Sequence, residues 1–230
     1  MNYEYILSEL SKGIVCTLEL TALVFIGGFL FGFILSVGRT YGSRFIRWLS
    51  IGYIELIRGT PMLLQILIIG FGLPIAIRNY YPDFTINSFW AVSIAMILNS
   101  GAYQAEYFRG AFNSLEFGQT EAGLALGMSK WEIVKNILLP QAIRRAFPNF
   151  TNELIYILKY SSLAMILSVH EMTYQAKSVG AVTFRYGEIY LLLGALYLAF
   201  AFALAQIMKV VEMKVYIPGV TTRVEKRGLL

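Results

Sequence analysis

Charge is scarce in this chain. Asp, Glu, Lys and Arg make up 14% of its 230 residues, against about 25% in a soluble globular domain. That shortage, beside 57% hydrophobic residues, excludes an ordinary water-soluble fold. Several apolar runs approach the ~20 residues an α-helix needs to cross a ~30 Å hydrocarbon core, so the chain reads as an all-α, polytopic membrane bundle. Cysteine is nearly absent too: the single Cys16 lies in a hydrophobic run, which excludes an intrachain disulfide. The one histidine, His170, cannot hold a metal alone and reads as an interfacial side chain, so no metal site is expected. HExxH, GxSxG and His/Cys clusters are missing, which argues against a membrane-embedded enzyme. No Gly-Lys dipeptide occurs, so there is no GxxxxGK[ST] loop to cradle ATP phosphates, and no cofactor is expected in this chain. A basic leader is also wanting. The start MNYEYILSELSKG places Glu4 and Glu9 before Lys12, and the first apolar run therefore reads as a retained span.

What is present is a single transmembrane domain over 1–230, with five expected spans at about 14–37, 54–77, 88–112, 150–169 and 187–211. The first and last are clean. The second opens on Glu55, Arg58, Gly59, Thr60 and Pro61; the third contains Asn99, Gln104, Glu106 and Arg109; the fourth contains Asn152, Glu153 and Lys159. Loops on one side carry Arg39, Arg44 and Arg47, then Lys130, Lys135, Arg144 and Arg145, then Lys209, Lys214, Arg223, Lys226 and Arg227. The other side has Lys12, Arg78, Lys177 and Arg185. By the positive-inside rule the basic side is cytoplasmic, which puts the amino terminus outside and the carboxy terminus inside. The net charge of +5 follows from this asymmetry, and no nucleic-acid partner is expected.

Between the third and fourth spans, the segment 118–143 is too polar for lipid and strongly patterned. In TEAGLALGMSKWEIVKNILLPQAI, Thr120 suits an N-cap and Glu121 the first turn of a helix. That helix should stop at Gly127. Ser129 with Glu132 three residues on makes a capping box for a second helix, along which Trp131, Val134, Ile137 and Leu138 recur at helical spacing. Pro140 is expected to bend or restart the chain, and Pro148 to repeat the device. Ala122, Gly123 and Gly127 are small enough to let another backbone approach. The segment is either an amphipathic loop on the headgroups or a docking element.

Glu121-Ala122-Gly123, Gly127 after three residues, and Ile137-Leu138-Leu139-Pro140 nine residues further resemble the EAA signature of ATP-binding-cassette importer permeases. Gly123 departs from it by replacing an alanine. ELIRGTPMLLQ (55–65), AEYFRGAFNSLEFGQTEAGLALGMS (105–129) and LKYSSLAMILSVHEM (158–172) look like the polar amino-acid branch, the histidine, glutamine, arginine and opine group. Tyr160 stands where that branch usually has aspartate. The resemblance covers roughly 14–210. It implies a type I importer transmembrane domain in a bacterial plasma membrane, paired with a second permease subunit that is either another copy or a different chain. It also implies an ATPase dimer that binds ATP-Mg, and an extracytoplasmic amino-acid-binding protein. Glu121, Ala122, Gly123, Leu126 and Gly127 would couple to the ATPase. The alternative is an ion-gradient-driven carrier, but five spans without a visible repeat lack the paired-repeat architecture usual there.

An ionisable group in a span costs about 2.5–3.5 kcal/mol on insertion scales and normally faces the bundle interior or a water-filled cavity. Helical spacing places Glu153, Ile157, Tyr160 and Ala164 on one stripe, and Asn99, Tyr103, Glu106 and Gly110 on another. Pro61 breaks the second span near Gln65. The expected substrate pocket lies between spans two, three and four, lined by Thr60, Gln65, Asn99, Tyr103, Glu153, Ser161 and Ser162. There Glu153 would meet a cationic group, favouring arginine, lysine or histidine; the alternative is that it bonds within the bundle, to Lys159 or a helix end. Glu55–Arg58 and Glu106–Arg109 read as structural pairs.

Overall fold

The computed structural model describes residues 3–115 and 117–215, and contains no strand among them. Arg223, Lys226 and Arg227, which weigh toward the basic side, lie outside the described residues. The long apolar run forms α1 (Tyr3–Tyr41). It breaks before Ser43, whose side chain accepts from the Ile46 N–H and starts α2 (Arg44–Arg58). At Gly59-Thr60-Pro61 the chain turns by 105° into Met62–Arg78. This second limb consists of α3 (Met62–Leu67), a π turn (Ile68–Gly72) and α4 (Leu73–Arg78). Asn87 caps α5 (Ser88–Asn113) by accepting from the Phe89 N–H. Then come α6 (Phe117–Ala125), α7 (Lys130–Ile133), a π turn (Val134–Leu138) and α8 (Leu139–Tyr160). A 3-10 segment (Ser161–Leu167) leads to α9 (Met172–Thr183) and α10 (Tyr186–Val215).

By length and composition α1 and α10 suffice to cross a membrane, and the bent pair Arg44–Arg58 plus Met62–Arg78 is a third candidate. The polar residues of α5 are turned inward: Asn99, Ser100 and Gln104 are all buried. Helix α5 packs against α1 with almost no spacing. A Cβ on Gly32 would lie 2.7 Å from the Gly101 carbonyl, and one on Gly28 2.8 Å from Ser100 Oγ. Such close backbones supply the van der Waals contact that holds helices together where lipid removes the hydrophobic drive. A second core, of Phe108, Phe112, Ile133, Val134, Leu138 and Phe150, ties α7 and α8 to α5. Phe29 of α1 joins it edge-on, 5.1 Å from Phe108 and 5.2 Å from Phe150.

Several expectations need correction. The break expected at Pro61 is present and goes further than a disturbance, dividing the second span at the Gly59–Pro61 turn so that 54–77 is not one helix. Helix α6 starts at Phe117, so Thr120 is inside it and does not cap it. Pro140 does not interrupt the helical path. The π turn before it lets Leu139 N–H bond to the Val134 carbonyl, and the helix passes into α8 with Pro140 in its first turn, where a missing N–H costs nothing. Pro148 sits inside α8. The fourth helix therefore begins well before 150 and ends at Tyr160; residues 161–167 wind as 3-10 and stop at Ser168, in the left-handed region with φ 59°.

Candidate functional site

A cavity of ≈ 440 Å³ lies where the Gly59–Pro61 break faces α5 and α8. The break contributes Thr60, Pro61 and Met62. From α5 come Asn99, Tyr103 and Tyr107, and from α8 Glu153, Tyr156 and Tyr160. The helical residues fall at i, i+4, i+8 and at i, i+3, i+7, the spacings that put side chains on one face.

Glu153 is 5% exposed. Ser100 Oγ–H donates to its Oε1 at 2.7 Å and Tyr107 O–H to its Oε2 at 2.9 Å. Behind Ser100, Gln104 Nε2 donates to the Ser100 hydroxyl at 3.0 Å. The Gln104 Oε1 is buried without a hydrogen-bond partner among the described residues. An ionised carboxylate offers about four lone-pair sites, so two donors leave Glu153 with capacity toward the cavity. The alternative reading, that Glu153 bonds within the bundle, is met by Ser100 and Tyr107 of α5 and not by Lys159, whose Nζ lies over the Tyr156 ring, 4.6 Å from its centroid.

At the break, Gln65 satisfies what Pro61 leaves open. Its Nε2 donates to the Ile57 carbonyl and to Thr60 Oγ1, both at 2.8 Å, and its Oε1 accepts from Asn99 Nδ2 at 2.9 Å. Thr60 and Asn99 at the cavity wall are thereby fixed to each other through Gln65.

Of the residues expected to line a pocket, Thr60, Asn99, Tyr103 and Glu153 do line this cavity, and Gln65 stands one layer behind. Ser161 and Ser162 do not. Each hydroxyl donates at 2.7 Å to a carbonyl at the end of α8, Leu158 for the first and Lys159 for the second. Those carbonyls are left over where the helix ends. Met62, Tyr107, Tyr156 and Tyr160 were not anticipated as lining. Extending the Asn99–Tyr103 stripe by one step reaches Tyr107, and spacing from Glu153 reaches the other two tyrosines.

Of the two acidic pairs expected, Glu106–Arg109 forms and Glu55–Arg58 does not. Glu55 and Arg58 form no ion pair within 4 Å among the described residues. Glu106 is instead the shared partner of three guanidiniums: Arg39, Arg109 through two N–H donors at 2.7 and 3.0 Å, and Arg58 at 3.8 Å.

In the segment 118–143, Gly127 has φ 76°, and the bonds Gly127 N–H to Leu124 carbonyl and Met128 N–H to Gly123 carbonyl close α6. The Ser129–Glu132 capping box forms. Glu121, Ala122 and Leu126 are exposed, Leu126 by 81%. Gly123 is not available to an outside backbone: it is buried, and a Cβ there would lie 2.7 Å from Ile133 Cγ1. Its small size serves the packing of α6 on α7.

Residues 28–216 match a family described as binding-protein-dependent transport system inner membrane component. The chain is 36% identical over 208 residues to the glutamine transport system permease protein GlnP of Escherichia coli (strain K12), covering 90% of this chain and 93% of that protein. It is 34% identical over 203 residues to the arginine transport system permease protein ArtQ of Bacillus subtilis (strain 168), covering 88% and 90%. Among solved structures, an amino acid ABC transporter crystallised with histidines superposes with a TM-score of 0.81 at 30% identity, over 93% of this chain and 99% of that one. The MetNI methionine ABC transporter, at 17% identity and a TM-score of 0.77, shares the fold.

Proposed function

This chain belongs to the family of binding-protein-dependent transport system inner membrane components, and we propose that it moves a basic amino acid (arginine, lysine or histidine) inward through the cavity beside Glu153. Its relatives are amino-acid ABC permeases, transport subunits and not enzymes. In this reading ATP-Mg is bound and hydrolysed by a partner ATPase dimer, an extracytoplasmic binding protein delivers the amino acid, and a second permease subunit completes the pathway. The amino terminus lies outside and the carboxy terminus inside, so that α6 and its exposed Leu126 meet the ATPase on the cytoplasmic side.

The observation that carries the substrate assignment is the buried Glu153 carboxylate on the cavity wall, with Lys159 drawn away from it onto Tyr156. An intramembrane carboxylate that forms no ion pair among the described residues is suited to a cationic group of the substrate. Coupling requires that contacts at α6 differ between the two access states. The route is material: Gly123 rests on Ile133, and Ile133 belongs to the core that contains Phe108 and Phe150.

The test is uptake into proteoliposomes holding the permease with its ATPase and binding protein. Glu153→Gln should lower uptake of arginine, lysine and histidine by about tenfold or more, the scale of one charge-assisted hydrogen bond. Undiminished uptake would remove the assignment. Uptake that follows an ion gradient without ATP would favour the carrier reading instead.

A further inference from the structure

The cavity has a negative pole at Glu153, and a positive one stands at its rim. Glu106 is a single carboxylate facing three guanidiniums, and even with Glu55, whose charge also acts on Arg109, the cluster keeps a positive excess. Arg39 and Arg109 hydrogen-bond to Glu106 and leave it well satisfied. Arg58 does not share in this. Its nearest approach to Glu106 is 3.8 Å, and its guanidinium lies over the Tyr103 ring, 5.3 Å from the centroid. Tyr103 is a cavity-wall residue. A guanidinium presents five N–H donors in a planar fork that matches a carboxylate, and Arg58 spends none of them in a hydrogen bond within the described chain. It is also the last residue of α2, immediately before the break whose Thr60, Pro61 and Met62 form one wall of the cavity. Over a third of its side chain is exposed.

We infer that Arg58 receives the α-carboxylate of the transported amino acid, so that the cavity reads charge at two poles, Glu153 for the cationic group and Arg58 for the anionic one. This rests on the cavity being the transport site proposed above. A surplus guanidinium gains little from a carboxylate already held by two others, and gains a full bidentate pair from a substrate carboxylate. Tyr103 would hold the arginine in waiting by cation–π contact.

The experiment is equilibrium binding to the solubilised permease–ATPase complex, without the binding protein, using two ligand pairs that differ only at the α-carboxylate. The pairs are L-arginine with agmatine, and L-glutamine with L-glutaminamide. The complete protein should prefer the carboxylate member of the pair it binds by at least about tenfold. Arg58→Gln should bring that preference within about twofold by weakening the carboxylate member alone, and Arg58→Lys, which keeps the charge but loses the fork, should fall between. Equal weakening of both members by Arg58→Gln, or a preference that survives it, overturns the inference and gives Arg58 a structural role only. If Arg58→Gln does not assemble, Arg58→Lys decides: an intermediate preference supports the inference and an unaltered one overturns it. Complete protein that binds both members of a pair equally also overturns it, yet leaves the Glu153 reading standing. Complete protein that binds neither pair refutes the transport site itself.

Discussion

The α6–α8 knuckle and the cavity at Glu153 solve opposite problems. The knuckle is made by neighbours in sequence: Gly123 on Ile133, Gly127 closing α6, Ser129 and Glu132 opening α7. Its inner face is apolar, and it is joined to the body by interlocked phenylalanines. The cavity is made by residues far apart, with Ser100 and Glu153 separated by 53 positions and Gln65 and Asn99 by 34. Its wall sets hydroxyls, one amide and one carboxylate among tyrosine rings, Pro61 and Met62. Packed apolar contact transmits force because it resists a change of shape; hydrogen-bonded polar contact selects because an unmatched group is costly. Damage to the first should therefore break coupling, and damage to the second should break recognition.

The largest effect is expected from Gly123→Leu. A side chain there must displace Ile133, whose Cγ1 lies 2.7 Å from where the Cβ would be. Overpacking of this kind costs about 1–3 kcal/mol, a factor of up to about a hundred if it falls on the docked state. ATP-driven import should collapse and the ATPase should no longer co-purify, while L-arginine binding to the solubilised permease persists. Import that continues with the ATPase attached would break the division between the regions.

A subtler substitution reaches Glu153 from behind. A Cβ on Gly28 would stand 2.8 Å from Ser100 Oγ, which donates to the Glu153 carboxylate, and 2.9 Å from Gln104 Nε2, which donates to Ser100 in turn. Gly28→Ala should weaken L-arginine binding by roughly fivefold, about the loss of one net hydrogen bond, with ATPase attachment unchanged. Gly27→Ala is the control: the three atoms nearest its Cβ all belong to the Ile97 side chain. It should lower thermal stability without altering affinity. Equal affinity losses in both variants would assign the effect to helix packing and not to Glu153.

The same contrast explains what could be read from the sequence. Gly127 and the Ser129–Glu132 box were legible because each depends on residues no more than five apart. Thr120 misled because a good capping side chain does not prevent a helix from starting earlier, at Phe117. Pro140 misled because a π turn absorbs its missing donor. At the cavity, helical stripes reached Glu153, Asn99 and Tyr103, whereas Ser161 and Ser162, expected as lining beside them, are not on its wall. The period changes from 3.6 to 3.0 residues per turn after Tyr160, and both hydroxyls are spent on carbonyls of α8. The surplus of guanidiniums at Glu106 had no sequence signal, since Arg39 and Arg58 reach it across 67 and 48 positions.

The smallest effect tests the knuckle's own electrostatics. Glu132 is held below the usual glutamate range by the Ser129 backbone N–H first and its hydroxyl second. A carboxyl whose folded pKa is lowered stabilises the fold at pH above its ordinary value, about 4.3, and that contribution fades as pH drops through the lower, folded value. Amide hydrogen exchange, corrected for intrinsic rates, should thus show the start of α7 losing protection between pH 5 and the acid limit, before the buried core around Phe108 does. Glu132→Gln should flatten that dependence. An unchanged acid response in Glu132→Gln would mean that the box orders the α6–α7 junction by shape alone, leaving the knuckle apolar packing with no electrostatic share.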